Sequence, residues 1–422
     1  MNCKVEKSKL SGNLVCPPNK SYSHRAIFLA ALAGNNSKVN NVLFSTDTIA
    51  TINACKNFGA QIEIGDSSVV VKQPIGKGLF VPKINAENSG TTIRIASGIA
   101  SLFSKETTLT GDSSLQKRPM QPLLEALQSI GAKCSSTDGK PPMKITGKIK
   151  GGDVTIPGNF SSQFISALLI SAPLTEKGLN LTIEGNLVSK PYLDATISTM
   201  RHFGVSVQTL IPYKKYNVAP QIYKPSTFTV PIDYSSLALL LSAVVLCGEK
   251  VIIQGKLGNL PQGDEVFMDI LEQLGVKVIL GNETISIKSP DRLSGGRFDL
   301  NNSPDLLPAL AILSLKTSSP IEIVNVKHAR LKETDRISII AKELVKLGVD
   351  VEEKDDGLIL KMSNNLKGGI LNSENDHRLF MAFCIAGMYV GDCMVTDPES
   401  VKVSYPNFIE EMNKIGAKIS VM

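Results

Sequence analysis

Aromatic residues are scarce in this 422-residue chain, 5% with no tryptophan, and lysine and arginine nowhere gather into a block. Together these absences argue against a nucleic-acid-binding surface, even though 45 basic residues outnumber 39 acidic ones. No apolar run reaches the roughly 18 residues that a membrane-spanning helix needs, so no membrane partner is expected. The opening MNCKVEKSKL has no apolar stretch followed by a small-residue cleavage site, so no signal peptide is expected. The seven cysteines are odd in number and form no CxxC pair. That fits free, mostly buried thiols in a reducing, cytoplasmic setting. Neither GxGxxG nor a GxxxxGK loop ending in Ser or Thr occurs, which disfavours NAD and ATP. HExxH is absent and His24, His202, His328 and His377 lack metal-ligand spacing, so neither metal nor other cofactor is expected.

What the chain does contain is repetition. An apolar-Gly-[Ala/Val]-x-[apolar/Cys] phrase recurs as FGAQI, IGAKC, FGVSV, LGVKV, LGVDV and IGAKI. Its glycines, Gly59, Gly131, Gly204, Gly275, Gly348 and Gly416, lie 72, 73, 71, 73 and 68 residues apart. Each phrase follows a stretch of helical periodicity, such as Pro122 to Ile130 or Glu265 to Leu274, and precedes alternating residues such as Val276 and Val278. The glycine therefore marks a left-handed helix end before a strand. A second series interleaves with it. Ser23, Gly90, Ser161, Ser235, Asp305 and Asp376 each open an unusually apolar helix, at spacings of 67, 71, 74, 70 and 71 residues. Such helices are buried on most sides, and small polar residues suit their caps.

Each unit thus carries one buried helix, one amphipathic helix and strands, and is too small to stand alone. Texture breaks most sharply from Leu210 to Pro231, where Pro212, Pro220, Pro225 and Pro231 cluster. The expected fold is α/β, with three repeats in residues 16–230 and three in 231–422, and residues 1–15 crossing over to the second domain. If the buried helices of each domain converge at their starts, and the two faces oppose each other, an anion-attracting cleft results. The basic residues agree with this. Lys20 and Arg25 flank the first helix start, Arg94 follows Gly90, and Arg378 follows Asp376. Arg118 precedes the second amphipathic helix, and Lys332 and Arg336 read as i and i+4 at the head of the fifth. Arginine forks grip carboxylate and phosphate, so a small polyanion is the expected guest.

At these same places the chain resembles the EPSP synthase family. The matching stretches are NKSYSHRAIFLAALA from Asn19, ENSGTTIR from Glu87, QKRP from Gln116, SSQF from Ser161, LVSKPY from Leu187, LKETDRI from Leu331 and NDHR from Asn375. The resemblance implies two domains of three βαβαββ-like units with buried parallel helices, an inside-out α/β barrel, closing on substrates. It also implies enolpyruvyl transfer from phosphoenolpyruvate to shikimate 3-phosphate by a monomer. Lys20, Ser21, Arg25, Ser161, Ser162, Gln163, Ser189, Asp305 and Lys332 would then hold shikimate 3-phosphate, with Tyr192 supporting the pocket. Lys20, Gly90, Arg118, Gln163, Arg336 and Arg378 would hold phosphoenolpyruvate, with Arg94 of second rank. Asp305 is expected to be the base and Glu333 the acid, with Lys20 competing for the acid role.

Two departures stand out. Pro18-Asn19 replaces a Gly-Ser found in many relatives. Val403 stands where many carry a phosphate-contacting lysine, with Lys402 one position early and, on an extended segment, facing away. Plainer readings run beside these. Ser161, Ser235 and Asp305 suit helix caps, Asp233 reads as a cap, Lys332 with Asp335 and Glu333 with Arg336 as surface pairs, and most cysteines as core. Two rival functions remain. A UDP-N-acetylglucosamine enolpyruvyl transferase would usually place a reactive cysteine in the stretch that here reads GDSSLQKRP. A non-catalytic anion- or RNA-binding scaffold leaves Asp305 and Glu333 without purpose.

Overall fold

Segments as apolar as SSLALLLSAVVL can leave no face in water, and the architecture is organised around hiding them. The computed structural model describes residues 1–255, 257–361 and 365–422. Among these, the α-helices run α1 Lys20–Ala33, α2 Thr46–Asn57, α3 Gly90–Ala100, α4 Gln121–Ser129, α5 Ser162–Ser171, α6 Lys190–His202, α7 Tyr234–Cys247, α8 Phe267–Gln273, α9 Leu307–Leu313, α10 Arg336–Lys346, α11 His377–Val390 and α12 Phe408–Lys414. The odd-numbered helices are buried almost all round; every residue of α3, α7 and α9 is buried. The even-numbered ones bury one stripe, as α4 does with Leu123, Leu124, Ala126 and Leu127.

The chain divides into two units. One is Pro18–Pro231 with Asn259–Gln262; the other is Met1–Pro17, Ile232–Gly258 and Gly263–Met422. Within the first, α3 packs on both α1 and α5, and within the second, α7, α9 and α11 pack on one another. The small Asn259–Gln262 segment is tied to α1 of its own unit, where Tyr22 Oη donates to Pro261 O at 2.8 Å and Asn19 Nδ2 to Gln262 Oε1 at 2.6 Å.

Six four-stranded sheets among the described residues share one pattern. The outer first strand runs parallel to the second, and the remaining neighbours are antiparallel, as in Lys83–Asn85, Thr107–Thr110, Lys140–Thr146 and Lys133–Thr137. Three sheets complete the pattern with strands from far along the chain. Thr227–Thr229 joins Ser37–Asn40, Leu10–Val15 joins Gly248–Gln254, and Asn2–Glu6 slots between Cys393–Thr396 and Lys418–Val421. The proline-rich stretch from Leu210 to Pro231 is therefore built into the fold. It carries strand residues, and its buried Tyr223 donates from Oη to Ile170 O at 2.9 Å.

The repeat glycines sit where the phrase predicts. Gly59, Gly131, Gly204, Gly275, Gly348 and Gly416 have φ between 81° and 111° and follow α2, α4, α6, α8, α10 and α12. In every copy the next residue donates back across the turn, from Ala60 to Cys55 through Ala417 to Met412, which closes a Schellman end.

The helix starts differ in detail from the sequence expectation. The first helix opens at Lys20, capped by Asn19, whose side chain accepts from Tyr22 N at 2.7 Å, so the Pro18-Asn19 departure still ends in a capped helix. Ser23 instead lies inside α1 and bonds Asn19 O and Leu43 N. Asp233, not Ser235, caps α7. Ser161 and Asp376 cap α5 and α11 as expected, and Ser89 caps α3 just before Gly90. Asp305 is not the α9 cap; it lies in a 3-10 turn, Pro304–Leu306, ahead of that helix. The cysteines are buried apart from half-buried Cys134.

Gly275 and Gly348 separate two costs of substitution. A β-carbon at Gly275 meets nothing nearer than 3.8 Å, whereas at Gly348 it lies 2.5 Å from Asn365 O. Gly275→Ala should therefore lose only the backbone term, about 1–2 kcal/mol, and Gly348→Ala clearly more. Urea titration of the two variants checks the order; equal losses would contradict it.

Candidate functional site

A buried helix leaves its first N–H groups unsatisfied, and polar residues gather there to serve them. In the unit built from Pro18–Pro231, Arg94 and Gln163 join the starts of α3 and α5, and α1 reaches these helices through Thr51 of α2 and Thr196 of α6. Arg25, on the second turn of α1, is 1% exposed. Its Nε donates to Thr196 Oγ1 at 2.8 Å, Nη1 to Ser21 O at 2.9 Å and Nη2 to Tyr192 O at 3.1 Å. All three acceptors are neutral. Burial lowers its pKa from 12.5 to about 10, against weak opposition from Tyr22 and Tyr192. A guanidinium so placed lacks a counter-charge and favours a bound anion.

A second cluster forms around Gly90. Arg94 Nη1 donates to Gln163 Oε1 at 2.5 Å, Gln163 Nε2 to Thr91 Oγ1 at 3.1 Å, and Arg118 Nη2 to Asn88 Oδ1 at 2.9 Å. A β-carbon on Gly90 would stand 2.9 Å from Arg118 Nη1 and 3.2 Å from Arg94 Nη1, so glycine is what lets both guanidinium groups approach the α3 start. Arg94 also lies over the Phe164 ring, 5.1 Å from its centroid. Lys20 pairs with buried Asp47 at 3.1 Å, both largely shielded from solvent. Ser161 accepts from Gln163 N, Ser162 is buried, and Ser189 holds a left-handed backbone, φ 55°, at the head of α6. Such a conformation in a residue with a side chain is strained and is retained where surroundings require it.

The other unit gathers its residues around Arg336, also 1% exposed. Its Nε and Nη2 bond Asp376 at 2.7 and 3.2 Å, Nη1 bonds Asp305 at 2.8 Å, and Nη2 bonds Glu333 at 2.7 Å. Burial pulls the pKa of this guanidinium down, but Asp376, Glu333 and Asp305 together outweigh it and raise it. Asp305 further meets Lys332 at 3.4 Å and Arg378 at 3.3 Å. Asp376 does double service, accepting from Arg378 N at 2.9 Å while gripping Arg336. Removing one partner from such a buried network typically costs ~3–5 kcal/mol.

The expected Lys332–Arg336 helical pair is not one. Helix α10 starts at Arg336, capped by Asp335, and Lys332 lies in the turn before it. Asp335 pairs with Arg330 at 2.8 Å rather than with Lys332, and Glu333 pairs with a buried rather than a surface arginine.

Comparison with known proteins places these residues in a family. The model for EPSP synthase (3-phosphoshikimate 1-carboxyvinyltransferase) matches residues 5–412. The chain belongs to the EPSP synthase family. It is 76% identical over 419 residues to a 3-phosphoshikimate 1-carboxyvinyltransferase of Nitrosopumilus maritimus, covering 99% of each chain. It is 42% identical to the protein of that name from Methanothermobacter thermautotrophicus, covering 100% of both. Among solved structures it is similar to EPSP synthase from Acinetobacter baumannii, with TM-score 0.81 and 27% identity over 100% of each chain.

Within this EPSP synthase framework, Lys402 lies in a 3-10 helix, Pro398–Val403, not in the extended segment that the one-residue argument supposed. Its side chain is 59% exposed and pairs with Glu399. No motif in the sequence points to Asp47, Thr196 or Asp264, and Asp376 reads there only as a cap. The signals for Asp47 and Asp264 were faint, since an aspartate near a helix start reads as a cap.

Asp264 is the least expected. It is buried, accepts from Ser235 Oγ through Oδ2, and its Oδ1 has no hydrogen-bond partner. Burial first, then Asp305, raises its pKa from 3.8 to about 7, against Ser235 and Arg378. The folded chain thus holds this proton up to about pH 7, while the unfolded chain releases it near 3.8. A raised folded value contributes stability that is lost as pH climbs through that window. Asp264→Asn should therefore melt above the parent at pH 8, with the gap closing below pH 4. Thermal melts across that range provide the check; a gap of constant size would refute the assignment.

Proposed function

We propose that this chain transfers the enolpyruvyl group of phosphoenolpyruvate to the 5-hydroxyl of shikimate 3-phosphate, releasing phosphate. The observation that carries the reading is Arg25, a wholly buried cation bonded only to neutral oxygens. A phosphate dianion is the partner that such a group calls for. Arg25, Lys20, Ser21, Ser161, Ser162, Gln163 and Ser189 hold shikimate 3-phosphate on this reading, with Asp305 and Lys332 toward its ring hydroxyls. Lys20, Gly90, Arg118, Gln163, Arg336 and Arg378 hold phosphoenolpyruvate. The family-model match and the 76% identical relative support the same reaction.

The chemistry follows from the charges. The 5-hydroxyl oxygen bonds to C2 of phosphoenolpyruvate while its proton passes to Asp305, and C3 takes a proton from Glu333. The tetrahedral adduct then returns a C3 proton to the ionised Glu333 as the C2–O bond to phosphate breaks, the cations holding the departing anion. Lys20, paired with Asp47, is the competing donor and is suited to the phosphate oxygen. Arg336 makes four hydrogen bonds to three carboxylates. A ligand carboxylate on its Nη1 competes with Asp305, so substrate arrival loosens Asp305 at the moment when a base is wanted.

The reading takes a monomer in the cytoplasm as the working form. Among the described residues, no helix is long and apolar enough to cross a membrane. GDSSLQKRP, without a cysteine, disfavours the UDP-N-acetylglucosamine reaction. Phosphate release from phosphoenolpyruvate with each acceptor in turn tests the choice; turnover with the nucleotide sugar alone would overturn it.

Asp305→Asn and Glu333→Gln should each lower kcat by roughly 100-fold or more with folding intact. Near-normal kcat in both would remove the assigned roles. Gly90→Ala displaces only the ends of two flexible arginines, so it should fold normally. Its KM for phosphoenolpyruvate should rise roughly ten- to hundredfold, the value of a displaced charge-assisted bond, with a smaller change for shikimate 3-phosphate. Steady-state kinetics in both substrates read this directly.

A further inference from the structure

We propose that Asp264 is a positioning residue for the reaction, a buried carboxylate on a turn bonded to the one that carries Asp305, and that its charge governs how readily Asp305 takes up the hydroxyl proton. The inference rests on the reading of Asp305 as the base. Asp264 belongs to the 3-10 turn Gly263–Val266, and Ser303 Oγ donates to Gly263 O at 2.7 Å. That bond ties the turn to Pro304–Leu306, which carries Asp305. The groups that act on Asp264 are Asp305, Ser235 of α7, Arg378 of α11 and Asp233, the α7 cap.

The cap of α7 is already supplied by Asp233, which accepts from Ser235 N and Ser236 Oγ. Asp264 Oδ2 takes the Ser235 hydroxyl, and Oδ1 is buried with no hydrogen bond at all. What such a group offers its neighbours is charge. Asp305 needs it, because Arg336, Lys332 and Arg378 all favour its ionised form and so weaken it as a base. An anion close by, in a poorly screened interior, acts in the opposite sense. Burial leaves Asp264 titrating near neutrality, so this charge appears as pH rises through about 7.

The test is the pH profile of kcat at saturating phosphoenolpyruvate and shikimate 3-phosphate, followed by phosphate release. The parent should show a rise with an inflection near pH 7. Asp264→Asn should remove that inflection and lower kcat above it roughly tenfold, with KM little changed. Ser235→Ala removes a bond that favours the charged form and should move the inflection to higher pH. Should Asp264→Asn fail to fold, Ser235→Ala decides alone. The inference is overturned if Asp264→Asn keeps the parental profile, or if Ser235→Ala leaves the inflection in place, while Asp305→Asn abolishes turnover. If Asp305→Asn turns over normally, the base reading falls and this inference falls with it.

Discussion

A helix buried on every side can present its unpaired N–H groups only at its end, and this constraint shapes both units. Helices α1, α3 and α5, and likewise α7, α9 and α11, have no solvent-facing stripe to relieve them. Their first turns must find partners among side chains, and caps such as Asn19, Ser89, Ser161, Asp233 and Asp376 supply them. Where donors and positive partial charge already accumulate, a further cation is costly unless an anion answers it. The two units answer differently. Arg336 is met by three protein carboxylates, whereas Arg25 is met by neutral oxygens.

That difference divides the chemical labour. A cation already neutralised from within orders carboxylates, so the Arg336 cluster brings Asp305 and Glu333 to fixed places beside it. A cation left among neutral acceptors is a seat for something that the protein does not supply. Gly90 contributes through what it lacks, since any side chain there would push Arg94 and Arg118 away from the α3 start.

Much of the architecture was legible in the sequence because its punctuation is local. Left-handed helix ends demand glycine, and Gly59 through Gly416 mark them at near-constant spacing. Cations and glycine near the helix starts mark Lys20, Arg25, Gly90, Arg118 and Arg378 in the sequence. The exact starts were less readable, because Ser23 and Asn19, or Ser235 and Asp233, are equally good caps on paper and only packing chooses between them. Asp264 and Asp47 were hidden for a related reason. Their significance comes from burial beside particular charges, which no spacing along the chain records. The pairing of Thr227–Thr229 with Ser37–Asn40 was equally silent, since strand partners so distant leave no periodic trace.

The strand Asn2–Glu6, held between Cys393–Thr396 and Lys418–Val421, is a stave in the last repeat. During synthesis those residues emerge long before Cys393–Thr396 and Lys418–Val421 and must wait for them. The unit from Pro18 to Pro231 has almost all its strands and helices in hand by then, so the order of assembly is inverted relative to the order of translation for one and not for the other. A change within Asn2–Glu6 would therefore be felt most in the repeat farthest from it in sequence.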